Sequence, residues 1–98
     1  QHNPDMEQRK NIYLIFKEAV NNAAKYSECK NLFVDFQIKR SGCLIKIRDD
    51  GKGFKTDMVK KGNGLYNMHK RINVIKGDLS IYSKPGEGTE VVIKVLFG

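Results

Sequence analysis

The chain has 98 residues, of which 40% are hydrophobic and 30% charged, and its formal net charge is +7. This length predicts one domain around a single core, and the composition is ordinary for a soluble globular protein. No apolar run reaches the roughly 18 residues of a membrane-spanning helix, and no signal peptide opens the chain. The positive charge favours a polyanionic partner, either nucleic acid or a nucleotide triphosphate, without choosing between them.

The first predicted element is a long amphipathic helix from Met6 to about Tyr26, because apolar residues recur with helical spacing. Beside its apolar face, Glu18, Asn22 and Lys25 line up at i, i+4 and i+7, at the expected rim of the core. An amide oxygen suits magnesium, an ammonium suits phosphate, and a carboxylate can act as a base. A solvated helix face with a Glu–Lys pair explains the same spacing equally well.

Strand-like alternation follows from Asn31 to Arg40 and from Cys43 to Arg48, joined by a turn at Ser41-Gly42. After a glycine-rich and lysine-rich loop, a second helix is predicted over 65–76, with Gly77 as its stop signal. Two more strands, 78–83 and 89–97, are joined by Pro85-Gly86-Glu87-Gly88. This order predicts an α+β two-layer sandwich, with helices packed on one face of a mixed, mostly antiparallel sheet.

The loop after the second strand carries the most informative segment, Asp49-Asp50-Gly51-Lys52-Gly53-Phe54. Acids followed by alternating glycines place a carboxylate beside backbone that a flat ligand can approach closely. Two weaker signals accompany it. Gly62-Asn63-Gly64-Leu65 leads into the second helix, whose free backbone N–H groups suit an anion, and Thr89 offers a hydroxyl after the last turn.

Other nucleotide signatures and metal signatures are absent from the sequence. Lys55-Thr56 follows Phe54 rather than glycine, so there is no P-loop, and the 62–67 segment lacks the third glycine of a dinucleotide fingerprint. Cys29 and Cys43 have no metal-ligand spacing and are expected to be reduced thiols. His2 and His69 have no acid or cysteine partner in the sequence, which argues against a catalytic triad.

Together the segments resemble the ATP-binding catalytic domain of sensor histidine kinases, in the GHKL ATPase superfamily. The resemblance runs from about Arg9 to Leu96, with the motifs in family order. Residues 15–27 resemble the N box, 49–54 the G1 box, 62–65 the G2 box and 86–89 the last glycine motif. The Glu-Ala-Val-x-Asn form of the N box and the brief loop before the G2 box are most similar to the nitrate-sensor and desaturase-thermosensor branch.

For the adenine end of the nucleotide, the resemblance implies that Asp49 accepts a hydrogen bond from the adenine amino group. Gly51 and Gly53 would let the base lie against the backbone. Thr89 would reach the adenine through water, and Tyr26 would pack near the base or ribose, where many relatives carry His or Arg.

For the phosphate end, the resemblance implies that Asn22 holds magnesium and that Lys25 contacts phosphate. Glu18 would act as the base or orient the acceptor histidine. Gly62 and Gly64 of the G2 box would hinge the ATP lid and present N–H groups to phosphate, and Leu65 of the same box is expected among the ATP-binding residues. ATP and magnesium are therefore the expected cofactors.

The resemblance also implies partners that this sequence does not contain. The phosphoacceptor histidine of such kinases lies on a separate dimerisation domain, so residues 1–98 are expected to be one catalytic domain of a longer kinase that forms a homodimer. The lid from about Phe54 to Lys61 is short and no F box is evident. Little turnover is expected from this domain alone. The domain is expected to be cytoplasmic, whether or not the full-length kinase is anchored in a membrane. A response regulator is expected to act downstream of the kinase.

Two alternatives stay open from the sequence. One is a serine kinase of the anti-sigma-factor type, which shares the superfamily boxes. The other is a basic nucleic-acid-binding module, against which the sequence offers no aromatic residues arranged for base stacking on an exposed strand face. No nucleic-acid partner is therefore expected.

Overall fold

A computed structural model of the chain describes residues 5–26, 28, 30–52 and 64–97, with the backbone alone for residues 25, 26, 64 and 65. The elements are two helices and four strands: α1 (Met6–Tyr26), β1 (Leu32–Lys39), β2 (Gly42–Asp49), α2 (Gly64–Val74), β3 (Asp78–Ser83) and β4 (Thr89–Leu96). The strands form one sheet in the order β1-β2-β4-β3, and all three neighbouring pairs are antiparallel. The predicted α+β two-layer sandwich is confirmed, and the described strands contain no parallel pair.

The core lies between the sheet and both helices. Alternate residues of the central strands face the helices and are buried, while the residues between them face outward. The buried apolar side chains come from every layer: Ile15, Ala19, Cys43, Ile45, Ile47, Met68, Ile72, Ile75, Val91, Ile93 and Val95. Burying each large aliphatic side chain contributes about 1.5–3 kcal/mol before entropy is subtracted, so this cluster holds the two layers together.

Helix α1 begins with a reciprocal cap that the hydrophobic pattern does not reveal. The Gln8 backbone N–H donates to Asp5 Oδ1 at 2.7 Å, and the Asp5 N–H donates to Gln8 Oε1 at 3.1 Å. This is the capping-box arrangement, which satisfies backbone donors that have no partner inside the helix. Gln8 Nε2 also donates to the Leu96 carbonyl at 3.0 Å, so the start of α1 is fixed to the end of β4.

Helix α2 ends two residues earlier than its apolar spacing predicts. The helix stops at Val74, and Lys76 rather than Gly77 adopts the left-handed conformation, with φ of 54°. The Lys76 N–H donates to the Asn73 carbonyl and the Gly77 N–H to the Ile72 carbonyl, the pair of bonds that defines a Schellman cap. Gly77 instead provides space, because a Cβ there would lie 2.8 Å from Ile72 Cδ1 and 3.0 Å from the Lys94 carbonyl oxygen.

The β1–β2 turn also differs from the prediction. Arg40 and Ser41 form it, and Gly42 is already the first residue of β2. A Cβ on Gly42 would lie 2.3 Å from the Val95 carbonyl oxygen, so this glycine permits close contact between β2 and β4 rather than a turn.

Strand β1 is an edge strand, and the helix layer covers it only in part. Its apolar alternation correctly predicts a strand, yet every residue of β1 is exposed. Phe16 of α1 reaches it, with its ring centroid 5.5 Å from that of Phe36. Two aromatic residues do lie on the outward face of the sheet, where Phe33 and Tyr82 are 49% and 61% exposed.

These two rings do not form a continuous stacking surface. They occupy the ends of one cross-strand row, Phe33–Arg48–Glu90–Tyr82, so about 14 Å of sheet and an acidic side chain separate them. The Arg48 guanidinium also lies over the Phe33 ring, 4.9 Å from its centroid. Successive bases would therefore find neither adjacent rings nor a uniformly basic surface.

Cys43 lies in the core, where burial raises the pKa of its thiol, against a smaller lowering by a hydrogen bond with the Val95 backbone. Such a thiol is a packing residue rather than a nucleophile. Cys29 and His2 lie outside the described residues, and His69 is exposed on α2. Within the described residues, no helix combines the length and the apolar character that a membrane crossing requires.

Candidate functional site

The candidate site is built around Asp49, the last residue of β2. Its side chain points to the helix layer because alternate residues of a strand share a face, and Asp49 continues the series Cys43, Ile45 and Ile47, which face the core. Asp49 is 7% exposed, an unusual position for an ionisable residue. The Gly51 N–H donates to Oδ1 at 2.9 Å, and no other described residue donates to this carboxylate. Among the described residues, Oδ2 therefore has no hydrogen-bond donor.

Strand pairing places Thr89 beside Asp49. The two residues are directly opposite each other in the β2–β4 ladder, and Thr89 is also opposite Ser83 in the β3–β4 ladder. Opposite residues of an antiparallel pair share a face, with Cβ atoms about 4.5–5.5 Å apart. A polar row, Asp49–Thr89–Ser83, therefore crosses this end of the sheet on the helix-facing side.

A hydroxyl pair links the last two members of that row. The oxygens Ser83 Oγ and Thr89 Oγ1 are 2.8 Å apart, and Ser83 Oγ donates to the Gly88 carbonyl at 3.1 Å. Both side chains are half-buried. The Thr89 hydroxyl is thus held in one orientation rather than free to rotate.

The β3–β4 turn packs directly against the exit of β2. A Cβ on Gly88 would lie 2.2 Å from the Asp49 carbonyl oxygen, and Gly88 has a φ of 81°. Only glycine satisfies both conditions. Two positions earlier in the turn, the Gly86 N–H donates to the Lys52 carbonyl at 2.5 Å. The last glycine motif therefore packs against the backbone of the segment that carries the Asp49 carboxylate and holds it in place.

Asp50, the second acid of the pair, has a different role from Asp49. It is exposed, and its carboxylate accepts from the Lys30 N–H, the Asn31 N–H and Asn31 Nδ2, each at 2.9 Å. These bonds, led by that from the Asn31 backbone, lower the pKa of Asp50. Asp50 thus ties the segment between α1 and β1 to the exit of β2.

Glu18 and Asn22 lie one turn apart on α1, and both are half-buried at the flank of its buried stripe. Phe16, about 160° around the helix from Glu18 and about 120° from Asn22, faces β1, so neither Glu18 nor Asn22 lies on that side of the helix. Neither side chain bonds to another described residue. The sequence prediction that they flank the core is therefore correct, while their chemical roles remain predictions.

Magnesium fits the Asn22 side chain chemically. It prefers oxygen ligands and is commonly held by one or two side chains together with phosphate oxygens, so one amide oxygen is a suitable protein contribution. Within the described residues, no group of three or more His, Cys, Asp or Glu residues could hold a metal ion without such help.

Several expected site residues fall on parts that the structure does not describe. Gly53 and Gly62 lie outside the described residues, and so do the side chains of Lys25, Tyr26 and Leu65. Gly64 is the first residue of α2, where the expected anion-binding N–H groups begin.

Three residues at the site received no role from the sequence: Ser83, Gly88 and Asp50. Ser83 and Thr89 flank the predicted hairpin turn, so pairing them was within reach of the sequence. The steric need for Gly88 and the three bonds to Asp50 depend on which loops meet, and no local signal gives that.

Comparison with known proteins adds independent information. The family described as "Histidine kinase-, DNA gyrase B-, and HSP90-like ATPase" matches residues 7–98. "Signal transduction histidine-protein kinase/phosphatase DegS" of Bacillus subtilis (strain 168) is 36% identical over 88 residues, covering 86% of this chain and 23% of that protein. "Sensor histidine kinase LiaS" of the same organism is 36% identical over 85 residues, covering 86% and 24%. The chain thus spans about a quarter of the length of these relatives.

Solved structures agree on the fold. Acinetobacter baumannii histidine kinase AdeS superposes with a TM-score of 0.76 at 25% identity, over 93% of this chain and 48% of that one. The histidine kinase domain of the Erythrobacter litoralis EL346 blue-light activated kinase gives a TM-score of 0.77 at 18% identity, over 91% and 47%. The second likeness, at this identity, concerns the architecture alone.

Proposed function

We propose that this chain is the ATP-binding catalytic domain of a two-component sensor histidine kinase. It belongs to the histidine kinase-, DNA gyrase B- and HSP90-like ATPases, because the model of that family matches residues 7–98. The observation that carries the proposal is the nearly buried Asp49 carboxylate, with one oxygen held by Gly51 and no described residue donating to the other. A carboxylate costs free energy to bury, so its position at the end of a core strand calls for a functional partner.

In this proposal the adenine amino group donates to Asp49 Oδ2. A hydrogen bond to an ionised acceptor contributes about 1.5–3 kcal/mol, which is enough to select a base. Gly51 and Gly53 carry no side chain, so in this proposal the flat ring lies against their backbone. Thr89, opposite Asp49 in the ladder, contributes its hydroxyl at the same edge of the base.

At the phosphate end, Asn22 would hold magnesium through its amide oxygen, and the ion would supply charge neutralisation for the phosphates. Lys25 and the N–H groups at Gly62 and Gly64 contact phosphate oxygens, while Glu18 serves as the base or orients the acceptor. Catalysis of phosphoryl transfer rests mainly on positioning and charge neutralisation, and these residue types supply both.

The phosphoryl acceptor in this proposal is a histidine on a separate dimerisation domain of the same kinase, and a response regulator receives the phosphate afterwards. Residues 1–98 are then one domain of a longer homodimeric kinase, and its ATP-binding part works in the cytoplasm. The family assignment supports this arrangement. The nitrate-sensor and desaturase-thermosensor branch remains our assignment on the form of the N box.

The proposal is tested by titrating ATP and ADP into the purified chain by calorimetry, comparing the wild type with Asp49→Asn. An asparagine keeps the size and loses the charge, so we expect nucleotide affinity to fall about 10–100-fold. Asp35→Asn is the matched control, because Asp35 is an exposed strand acid on β1 and should leave affinity unchanged. Absence of heat with the wild type at millimolar nucleotide would refute ATP binding, and unchanged affinity in Asp49→Asn would refute the role of Asp49.

A further inference from the structure

We propose that Ser83 is a positioning residue for base selection: it fixes the Thr89 hydroxyl as a hydrogen-bond acceptor, so that the site favours a 6-amino purine over a 6-oxo purine. The inference rests on the proposed nucleotide-binding function and concerns a residue to which the family motifs give no role. Its basis is two hydrogen-bond contacts made by Ser83 Oγ, one of 3.1 Å to the Gly88 carbonyl and one of 2.8 Å to Thr89 Oγ1.

The direction of each hydrogen bond follows from counting protons. The Gly88 carbonyl can only accept, so in the 3.1 Å contact Ser83 must be the donor. A serine hydroxyl has one proton, and this contact uses it. The 2.8 Å contact between Ser83 Oγ and Thr89 Oγ1 also needs a proton, which Thr89 must then supply. Thr89 therefore presents only lone pairs to any other group.

The same polarity holds at the neighbouring position. The Asp49 carboxylate is an acceptor, and it lies directly opposite Thr89 on the helix-facing side of the β2–β4 ladder. A group that meets both residues has to donate to both. The amino group at position 6 of adenine has two hydrogens, whereas the oxo group of hypoxanthine or guanine has none.

A bridging water would preserve this preference. If one water meets both Asp49 and Thr89, its two hydrogens point to these two acceptors, and its remaining lone pairs face the base. Such a water accepts from an amino group and has no hydrogen left for an oxo group. Selection by Thr89 therefore does not require direct contact with the base.

Removing the Ser83 hydroxyl should relax this selection. In Ser83→Ala, Thr89 loses its acceptor and can rotate its proton toward the ligand, where it can donate to an oxo group. ADP and inosine diphosphate are suitable probes, because their bases differ in the groups at positions 1 and 6. We expect the preference for ADP to fall about five- to tenfold in Ser83→Ala, as for one neutral hydrogen bond, and to survive in Ser83→Thr.

A double-mutant cycle separates this role from general destabilisation. Because Ser83 acts through Thr89, adding Ser83→Ala to Thr89→Val should leave the ADP preference where Thr89→Val alone puts it. Thermal unfolding without nucleotide checks that each variant is folded. If Ser83→Ala does not fold, the comparison of Thr89→Val with the wild type still tests the inference. In that case an unchanged preference in Thr89→Val overturns the inference.

Each outcome has a defined meaning. Equal weakening of ADP and inosine diphosphate binding in Ser83→Ala would assign the residue a purely structural role and overturn the inference. Additive effects in the double mutant would do the same. Failure of the wild type to bind either nucleotide would instead refute the proposed function, on which this inference depends.

Discussion

The two ends of the central strand pair β2–β4 use the same backbone device for different purposes. At one end Gly42 lets the strands approach, since a Cβ there would lie 2.3 Å from the Val95 carbonyl oxygen. At the other end Gly88 permits a close approach to Asp49, since a Cβ on Gly88 would lie 2.2 Å from the Asp49 carbonyl oxygen. The helix-facing row at the Gly42 end is apolar, with Cys43 opposite Val95. The row at the Gly88 end is polar, running from Asp49 through Thr89 to Ser83.

This difference separates stability from function. An apolar row buries its side chains at a gain, whereas a polar row buried to the same depth needs hydrogen bonds merely to avoid a loss. If the apolar alternation of β2 and β4 continued to both ends, the fold would be at least as stable. The polar end is therefore best explained by a ligand, and departures from local consistency are expected at functional sites.

The largest expected effect comes from filling the space at the polar end. Gly88→Ala combines a positive φ with a clash against backbone, so we expect the free energy of unfolding to fall by about 3 kcal/mol and nucleotide binding to be lost. Chemical denaturation and calorimetry measure the two effects.

Gly86→Ala is the matched control in the same turn. Gly86 also has a positive φ, of 83°, but a Cβ there would meet no atom within 4 Å. We expect a loss of only about 1 kcal/mol, with affinity retained. Equal losses for the two variants would show that close approach at Gly88 is unimportant.

A smaller effect should locate the metal end of the site. Asn22→Ala is expected to weaken ATP binding about tenfold in the presence of magnesium and little when the metal is chelated, because the amide oxygen acts through the ion. The neighbouring Asn21→Ala removes the same groups about 100° around the helix and should change neither value. Equal losses with and without magnesium would exclude a ligand role for Asn22.

The smallest effect concerns Asp50 and the pH dependence of stability. Its pKa is lower in the folded protein, so its contribution is present above the unfolded pKa and is lost as pH falls through the folded pKa. Asp50→Asn should therefore flatten the acid side of the stability–pH curve below about pH 4, with little change in its slope at neutral pH. Asp35→Asn serves as the control, and an identical curve for Asp50→Asn and the wild type would contradict the assignment.

Much of the fold was readable from the sequence because periodicity reports directly which residues are buried. Helix α1 follows from apolar residues spaced three and four apart, and β2 and β4 from strict alternation. The errors lie at the ends of helices and strands, where backbone geometry determines which residue adopts the special conformation. The cap of α2 places Lys76 in the left-handed conformation that the sequence pattern assigned to Gly77, and Gly42 serves strand packing rather than a turn.

The candidate site divides in the same way. Residue types and order in the chain were enough to single out Asp49, Asn22 and Thr89, because glycine-flanked acids and helical spacing are local features. Which of them meet is a matter of strand register, and register depends on pairing across the sheet. Only the structure shows that Asp49 and Thr89 are direct neighbours and that β1 is an exposed edge.

The sequence by itself determined the elements, the family resemblance and the residue types available for chemistry, because all of these depend on neighbours along the chain. Tertiary structure alone decided which carboxylate is buried and which one ties two loops together. Those properties depend on atoms that are distant in sequence and close in space. The adjacent acids Asp49 and Asp50 have different surroundings for that reason.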